Sequence, residues 1–519
     1  MLRNLRNIAA VSLSTGASRV LGLLRDVLLY AGLGAGVWSS AFLLAFTLPN
    51  LFRRLLGEGA LTSALMPVLG GVLARDGRPG AFRFFNAVAL RLFFVLIFLA
   101  ATGMLLLGGL VASGVLDTRW SLAGELSVLL LPYMVFICLS ALFAAGLNLL
   151  GRFTVAAASP AVLNLAMIGA LGGAILTGQP PEQMVYWLCA GVLIGGILQL
   201  FLPALDFARQ GWRPQQAEAE AEAKEAPLKE LRTLLLPALA GAAILQVNIM
   251  VSRLLAHGLN DSAVAVLYLA SRLMELPLGL FTISVATVFF PLMTDSLARR
   301  NDAAFTQAFL SGMRLILAIA LPAGIGLFLL GEPIVELLRF GRFADADAAR
   351  VARLVAIYGC GLPFYSIATF ATRGLHATKA IGTTARIAGL CLFINLFGSL
   401  IFMQFWEESG LALANIVAAA IQAILLWRAL ALRHPSLQLN SLRHAVVQVL
   451  LASGGMALFC LGAHQLLQYI GLSGKLHSLL VLVTLIPGSI GLYAYCLYWQ
   501  GFEELSLITD RFLKKLRAR

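Results

Sequence analysis

Apolar residues run through this chain in long blocks, not in the alternating or one-faced patterns of a soluble domain. A bilayer core about 30 Å thick needs roughly 20 mainly apolar residues to be crossed by a helix. At that window the sequence predicts about fourteen spans, centred near residues 20, 48, 97, 137, 167, 196, 244, 280, 318, 362, 393, 420, 457 and 488. The expected fold class is therefore an all-α polytopic membrane protein. The first block, from Ile8 to about Leu33, is too long for the core of a signal peptide. It also lacks a clear small-x-small cleavage site and is broken by arginines, so it reads as the first span.

Composition agrees and excludes a soluble globular chain: 60% of the 519 residues are hydrophobic, 12% are charged and the mean hydropathy is +0.88. Six cysteines (138, 189, 360, 391, 460 and 496) fall in apolar segments without the spacing of a zinc site or redox pair, and read as packing residues. The net charge of +13 raises the question of nucleic acid, which its distribution answers. Most Lys and Arg lie on one side of the predicted spans, including Arg75, Arg78, Arg83, the basic residues of 209–232, Arg299, Arg300 and the tail "RFLKKLRAR". The positive-inside rule puts both termini in the cytoplasm, and no nucleic-acid partner is expected.

The longest polar interruption, residues 209–232, has an Ala/Glu-rich middle that reads as a solvated cytoplasmic linker. It divides the chain into an N-lobe over 1–208 (spans one to six), a C-lobe over 233–433 (spans seven to twelve) and a C-terminal pair of helices with the basic tail over 434–519. The halves resemble each other. "LTSALMPVLGGVLAR" (61–75) aligns without gaps on "VATVFFPLMTDSLAR" (285–299), and a weaker echo links "RFTVAAASPAVLNL" after the fourth span with "KAIGTTARIAGLCLFINL" after the tenth. A parallel repeat of this kind predicts a transporter with its substrate between the halves.

The chemistry lies in charges that the spans should not tolerate. An arginine at a span centre costs about 2.5–3.5 kcal/mol on insertion scales and usually faces an aqueous cavity or a partner. "SRVLGLLRD" places Arg19, Gly22 and Asp26 on one helix face, with Arg25 about 100° round from Asp26. "LPNLFRRLLGEG" aligns Asn50, Arg53 and Gly57, and sets Arg54 and Glu58 at pairing distance along the helix. "LASRLMELPLG" gives Arg272 a carboxylate at Glu275 and a proline just beyond. Arg19, Arg25, Arg53 and Arg272 outnumber the nearby carboxylates, and a basic excess suits an anion. Guanidinium forks match phosphate oxygens bidentately, so the expected cargo is anionic and phosphorylated. Arg91, Arg253 and Arg314, nearer span ends, read as interfacial or structural, and Arg350 and Arg353 are given no role. Catalysis finds no support: there is no aspartate cluster in the cytoplasmic loops, and the six His are scattered without metal-ligand spacing.

These same blocks, together with "AFLLAFTLPNLFRRLLGEGALTSALMPVL", "GRFTVAAASPAVLNLAMIG" and "SRLMELPLGLFTISVATVFFPLM", closely resemble the MurJ (MviN) family of bacterial lipid II flippases, across essentially the whole chain. The resemblance implies the multidrug/oligosaccharidyl-lipid/polysaccharide exporter fold. Two pseudo-symmetric six-helix lobes would form a V around a cationic cavity, and the last two spans would form a groove for the undecaprenyl tail. It implies a transporter, not an enzyme, in the bacterial inner membrane. The transporter would move the lipid-linked peptidoglycan precursor from the inner to the outer leaflet by alternating access. Arg19, Arg25, Arg53 and Arg272 match the family's essential arginines, and Asp26, Asn50, Arg54, Glu58 and Glu275 match supporting positions. Lipid II and membrane lipids are the implied partners, with cell-wall synthesis proteins as further candidates.

The chain departs from the family pattern at Ser40, where relatives often carry an acidic residue, and at Ser271, where they read "ADR". Some members bind sodium through carboxylates that would align with Ser252 and Ala380; with both replaced, no sodium site and no cofactor are expected, and membrane potential or protons are the candidate driving forces. Two alternatives stay open: an exporter of another polyprenyl-pyrophosphate-linked oligosaccharide, and a non-transporting cell-wall scaffold.

Overall fold

Residues 2–57, 60–214, 225–468 and 474–504 are described by a computed structural model, and their regular structure is helical, with no strand among the described residues. The helices are α1 (Leu2–Leu33), α2 (Val37–Phe52), α3 (Ala60–Ala112), α4 (Thr118–Leu149), α5 (Thr154–Leu176), α6 (Pro181–Arg209) and α7 (Glu225–Leu259). They continue as α8 (Ala263–Pro277), α9 (Ile283–Ala298), α10 (Asp302–Leu338), α11 (Asp345–Ala377), α12 (Ile381–Ala431), α13 (Asn440–Gln468) and α14 (Gly474–Trp499). Two short π-helical segments follow α2 and α8: π1 (Arg53–Gly57) and π2 (Leu278–Thr282).

Eleven helical stretches among the described residues are long and apolar enough to cross a membrane. The chain is a multi-pass membrane protein. Its outward faces carry what water would reject: Phe94, Phe98 and Leu105 on α3 are 61%, 70% and 76% exposed, as expected where lipid is the solvent.

α3 and α12, at 53 and 51 residues, exceed any single crossing. Each is broken. α3 leaves helical geometry at Gly77 (φ 66°), a left-handed position that glycine adopts without a Cβ penalty. Leu61, Leu65 and Val68 before the break then share a core with Phe82 and Phe85 after it. α12 breaks at Trp406 and Glu407, and a Cβ on Gly398 would meet Ala414 at 3.3 Å, so its two halves lie side by side. Each is therefore two helical segments joined at a break.

Chain contacts separate two compact units, Met1–Ala265 with Phe340–Ala344, and Val266–Arg339 with Asp345–Arg519. In the first, α4 packs against α2, α3 and α6, and α1 lies on α5. Its aromatic core joins Phe82, Phe85, Phe143 and Phe207 to Trp212 at the start of the linker, with Phe143 and Trp212 centroids 5.1 Å apart. Trp212 Nε1 donates to Asn86 Oδ1 at 2.5 Å, and Asn86 Nδ2 donates to the Arg213 carbonyl at 3.0 Å. The far end of the linker returns to the same core through Leu228, Leu231 and Leu235. That burial places α7 with the first unit.

The segment Phe340–Ala344 completes the first unit by interlocking with the end of α1. Arg342 N–H donates to the Ala31 carbonyl at 2.9 Å, and the Phe343 ring lies 5.3 Å from Tyr30. Gly34 and Gly341 both have positive φ, and a Cβ on Gly341 would run into the Ala31 carbonyl. The backbones approach as closely as they do because neither position carries a side chain.

The second unit is built on α10, α11 and α12 around Phe305, Phe309 and Phe370, with α13 and α14 packed on each other and on α10. Tyr493 Oη donates to the Ala318 carbonyl at 2.7 Å, and Arg314 reaches Glu503 and Glu504 just beyond α14 at 2.8 and 2.9 Å. All six cysteines are free thiols, and Cys138, Cys189, Cys391 and Cys460 are buried.

Candidate functional site

In the first unit the candidate residues sit on α1, α2 and π1. Gly22 on α1 faces α5, where a Cβ would stand in ordinary van der Waals contact, 3.6 Å from Asn164 Nδ2. Asn164 uses both ends of its amide. Its Nδ2 donates to the Ser18 carbonyl at 3.1 Å, and its Oδ1 accepts from Arg25 Nη1 at 3.1 Å. Arg25 also grips its neighbour, with Nε and Nη2 donating to Asp26 Oδ1 at 3.0 and 2.6 Å. Arg25 and Asp26 are buried, at 6% and 4% exposure. A buried arginine in lipid is tolerable on these terms, with a carboxylate and an amide satisfying its fork. Arg19, six residues earlier, is exposed.

On α2, Pro49 sits inside the helix and Asn50 follows it. Asn50 Nδ2 donates to the Phe46 carbonyl at 3.0 Å, while its Oδ1 accepts from Arg53 Nε at 3.2 Å. Arg53 and Arg54 are half-exposed in π1. Glu58, the expected partner of Arg54, lies outside the described residues. Arg253 on α7 donates to the Leu43 carbonyl at 3.0 Å and to the Thr47 hydroxyl, so it braces α2 just before the proline.

In the second unit Arg272 lies on α8. Its Nε donates to Tyr268 Oη at 3.1 Å, Nη1 meets Glu275 Oε2 at 3.1 Å, and Cζ stands 5.3 Å from the centroid of the Tyr268 ring. The pair with Glu275 is well exposed, at 40% and 46% of the two side chains, so it adds little to stability. Its effect is to fix the guanidinium plane. Away from these residues, Arg350 is held by Asp347 and Glu408 at 3.3 and 2.8 Å.

Sequence reasoning had no role for Asn164 or Tyr268. A signal for Asn164 existed: it is the polar residue of "SPAVLNL", and its echo in the second half, Asn395, is likewise buried, at 1% against 7%. A buried amide in both copies of a repeat marks a position where a span needs a polar clasp. Tyr268 could have been read as the residue one turn before Arg272.

The family profile described as "Lipid II flippase MurJ" matches residues 30–484. The chain belongs to the MurJ family. A probable lipid II flippase MurJ of Rhizobium meliloti is 33% identical over 437 residues, covering 82% of this chain and 81% of the relative. Another, of Bdellovibrio bacteriovorus, is 29% identical over 97% of this chain and 96% of its own length. Among solved structures, a lipid II flippase MurJ in an inward closed conformation superposes with a TM-score of 0.76 at 23% identity, covering 97% of this chain and 99% of that one. An inward-facing multidrug MATE transporter of the MOP superfamily superposes with a TM-score of 0.67 at 14% identity, over 81% of this chain and 95% of that one. These two likenesses establish the fold.

Proposed function

We infer that this chain is a lipid II flippase, carrying the undecaprenyl-pyrophosphate-linked peptidoglycan precursor from the inner to the outer leaflet of the cytoplasmic membrane by alternating access. The family match over residues 30–484 carries this reading. The arrangement of cations supports it. Arg19, Arg53 and Arg272 present guanidinium groups that are exposed or half-exposed, with the orientation of Arg53 and Arg272 set by Asn50, Tyr268 and Glu275. A pyrophosphate offers oxygens in pairs, and planar N–H forks bind such pairs with defined direction. We assign these three arginines to the pyrophosphate and Arg25, with Asp26 and Asn164, to holding α1 against α5. Asn50, Arg54, Glu58 and Glu275 remain supporting positions. The lipid tail stays in the bilayer or against α13 and α14.

The distribution of Lys and Arg supports cytoplasmic termini in the inner membrane. No cofactor or sodium site is proposed, since Ser252 and Ala380 bring no carboxylate; membrane potential or a proton gradient is the proposed driving force. The reading is that of a transporter without enzymatic turnover of its cargo. The test is movement of lipid II across proteoliposome membranes, comparing wild type with Arg19→Ala and Arg272→Ala at matched insertion, with and without an imposed potential. Wild type should move lipid II and both variants should not. A wild-type chain that moves none under either condition removes the assignment.

A further inference from the structure

Two helices of this chain widen from α to π geometry, and they do so at matching points of the repeat. Continuing the ungapped alignment of 61–75 on 285–299 back along the chain puts π1 (53–57) on 277–281, one residue from π2 (278–282). Among the described residues these are the only π segments. A π turn holds one surplus residue within an α-helix, and such turns are rare and frequently found at functional sites. Their return within one residue of the same point in two halves of otherwise different sequence argues against accident.

The local causes are visible. At π2, Pro277 brings no N–H to the helix ladder, and the Ile283 N–H reaches back five residues to the Leu278 carbonyl. At π1, Pro49 removes a donor one turn upstream. Side chains take up backbone carbonyls around both. Asn50 Nδ2 donates to Phe46, and the Thr47 hydroxyl donates to Leu43 at 2.6 Å. Near π2, the Ser284 and Thr287 hydroxyls donate to the Leu280 and Ile283 carbonyls at 2.5 and 2.8 Å. Side-chain bonds of this type compete with the backbone ladder and bend helices, so the carbonyls have two ways of being satisfied. One point is fixed: Thr282 Oγ1 donates to Ser366 Oγ of α11 at 2.9 Å, and both residues are buried.

We propose that π1 and π2 are paired hinges of the transport cycle, in which the surplus residue of each moves along its helix when the protein changes state. A residue passed by a migrating π turn is re-aimed by about one helical position, roughly 100°. In π1 the residues passed include Arg53 and Arg54, so the hinge turns the cations themselves. In π2 the motion pivots at Thr282 and swings α9 against α8, which carries Arg272. This rests on the transport reading above.

Deleting Leu280, a lipid-exposed residue at 54% exposure, removes the surplus and lets π2 close to an α turn with both flanks in register. The expected result is a variant with wild-type insertion and an unchanged or raised unfolding temperature, whose lipid II transport falls at least about ten-fold because the conformational step is blocked. Transport at the wild-type rate overturns the proposal. Amide hydrogen exchange on the intact wild-type chain, without ligand, decides independently of transport and of the variant's folding. Segments 53–57 and 278–283 should exchange at least about ten-fold faster than the helices flanking them. Equal protection overturns the proposal, whereas failure of wild type to move lipid II would strike the substrate and leave the hinge to be judged by exchange.

Discussion

Replacing Arg25 by alanine should unfold this protein before it tells anything about transport. The substitution removes both hydrogen bonds to Asp26 Oδ1 and the one to Asn164 Oδ1. Asp26, 4% exposed, keeps its charge but loses the fork that compensates it. Breaking a buried pair from one side costs about 3–5 kcal/mol, because an uncompensated charge remains. The loss at Asn164, about 1–3 kcal/mol for a buried acceptor, overlaps with this and does not simply add. Arg19→Ala on the same helix removes an exposed side chain and should cost much less stability than Arg25→Ala. Removing both members of the buried pair, Arg25→Met with Asp26→Leu, leaves no charge behind, so the remaining cost should be only that of the Asn164 acceptor, about 1–3 kcal/mol.

Unfolding of the purified chain in detergent, by a denaturant titration, gives the three stabilities, and lipid II transport in proteoliposomes gives the activities. The expected order is Arg25→Ala below the double variant, Arg19→Ala near wild type in stability but inactive, and the double variant within about ten-fold of wild-type transport. If Arg25→Ala unfolds like wild type, the buried-pair reasoning is wrong. If the double variant is stable but inactive, Arg25 touches the cargo and belongs with Arg19, Arg53 and Arg272.

Three further outcomes follow from other contacts. Arg272→Lys keeps the charge but loses the fork that spans Tyr268 and Glu275, so transport should fall about ten-fold or more while stability stays within about 0.5 kcal/mol; full activity would count against bidentate recognition. Gly341→Ala forces a Cβ toward the Ala31 carbonyl at a φ of 57°, and should lower stability by about 1–3 kcal/mol and loosen the 340–344 segment in limited proteolysis. Burial against Phe305, with ring centroids 4.5 Å apart, pushes the His434 imidazole below its ordinary 6.5, and Asp302 at 3.6 Å only partly offsets this. The folded chain therefore binds fewer protons than the unfolded one as pH falls below about 6.5; this contribution to stability is intact above that pH and lost below it, and His434→Gln should flatten the acid fall in Tm.

What the chain shows without a structure is whatever depends on local period. Long apolar blocks mark the spans, the shared Pro67 and Pro291 mark the repeat, and arginines in apolar runs mark the candidate site. Each needs only the residues within a turn or a bilayer thickness. What stayed hidden depends on residues far apart in the chain. Nothing near Gly341 says that its backbone meets Ala31, 310 positions earlier. Nothing in the linker says that Trp212 closes an aromatic core with Phe85 and Phe143, or that Leu231 returns to it and carries α7 into the first unit. The π turns were invisible for another reason: a single surplus residue leaves the hydropathy of a span unchanged, and only the prolines beside it hint at the disturbance.

The arginines show the same division most sharply, and it bears on function. Arg19 and Arg25 share one helix, six residues apart, in equally apolar surroundings, and the sequence treats them alike. α5 separates them. Asn164, 139 positions beyond Arg25, hydrogen-bonds Arg25 and holds it in the fold, while Arg19 stays exposed. Elsewhere arginines are taken up by carboxylates near helix ends: Arg314 by Glu503 and Glu504, Arg339 by Glu336 and Asp345, Arg350 by Asp347 and Glu408. Arg53 and Arg272 are different, since amide, phenol and carboxylate neighbours orient them while leaving them accessible. Accessible guanidinium groups held in fixed planes are costly inside a membrane protein unless an anion visits them. Net charge therefore misleads about cargo, and the small set of oriented, accessible arginines is the part of the +13 that points to a phosphorylated one.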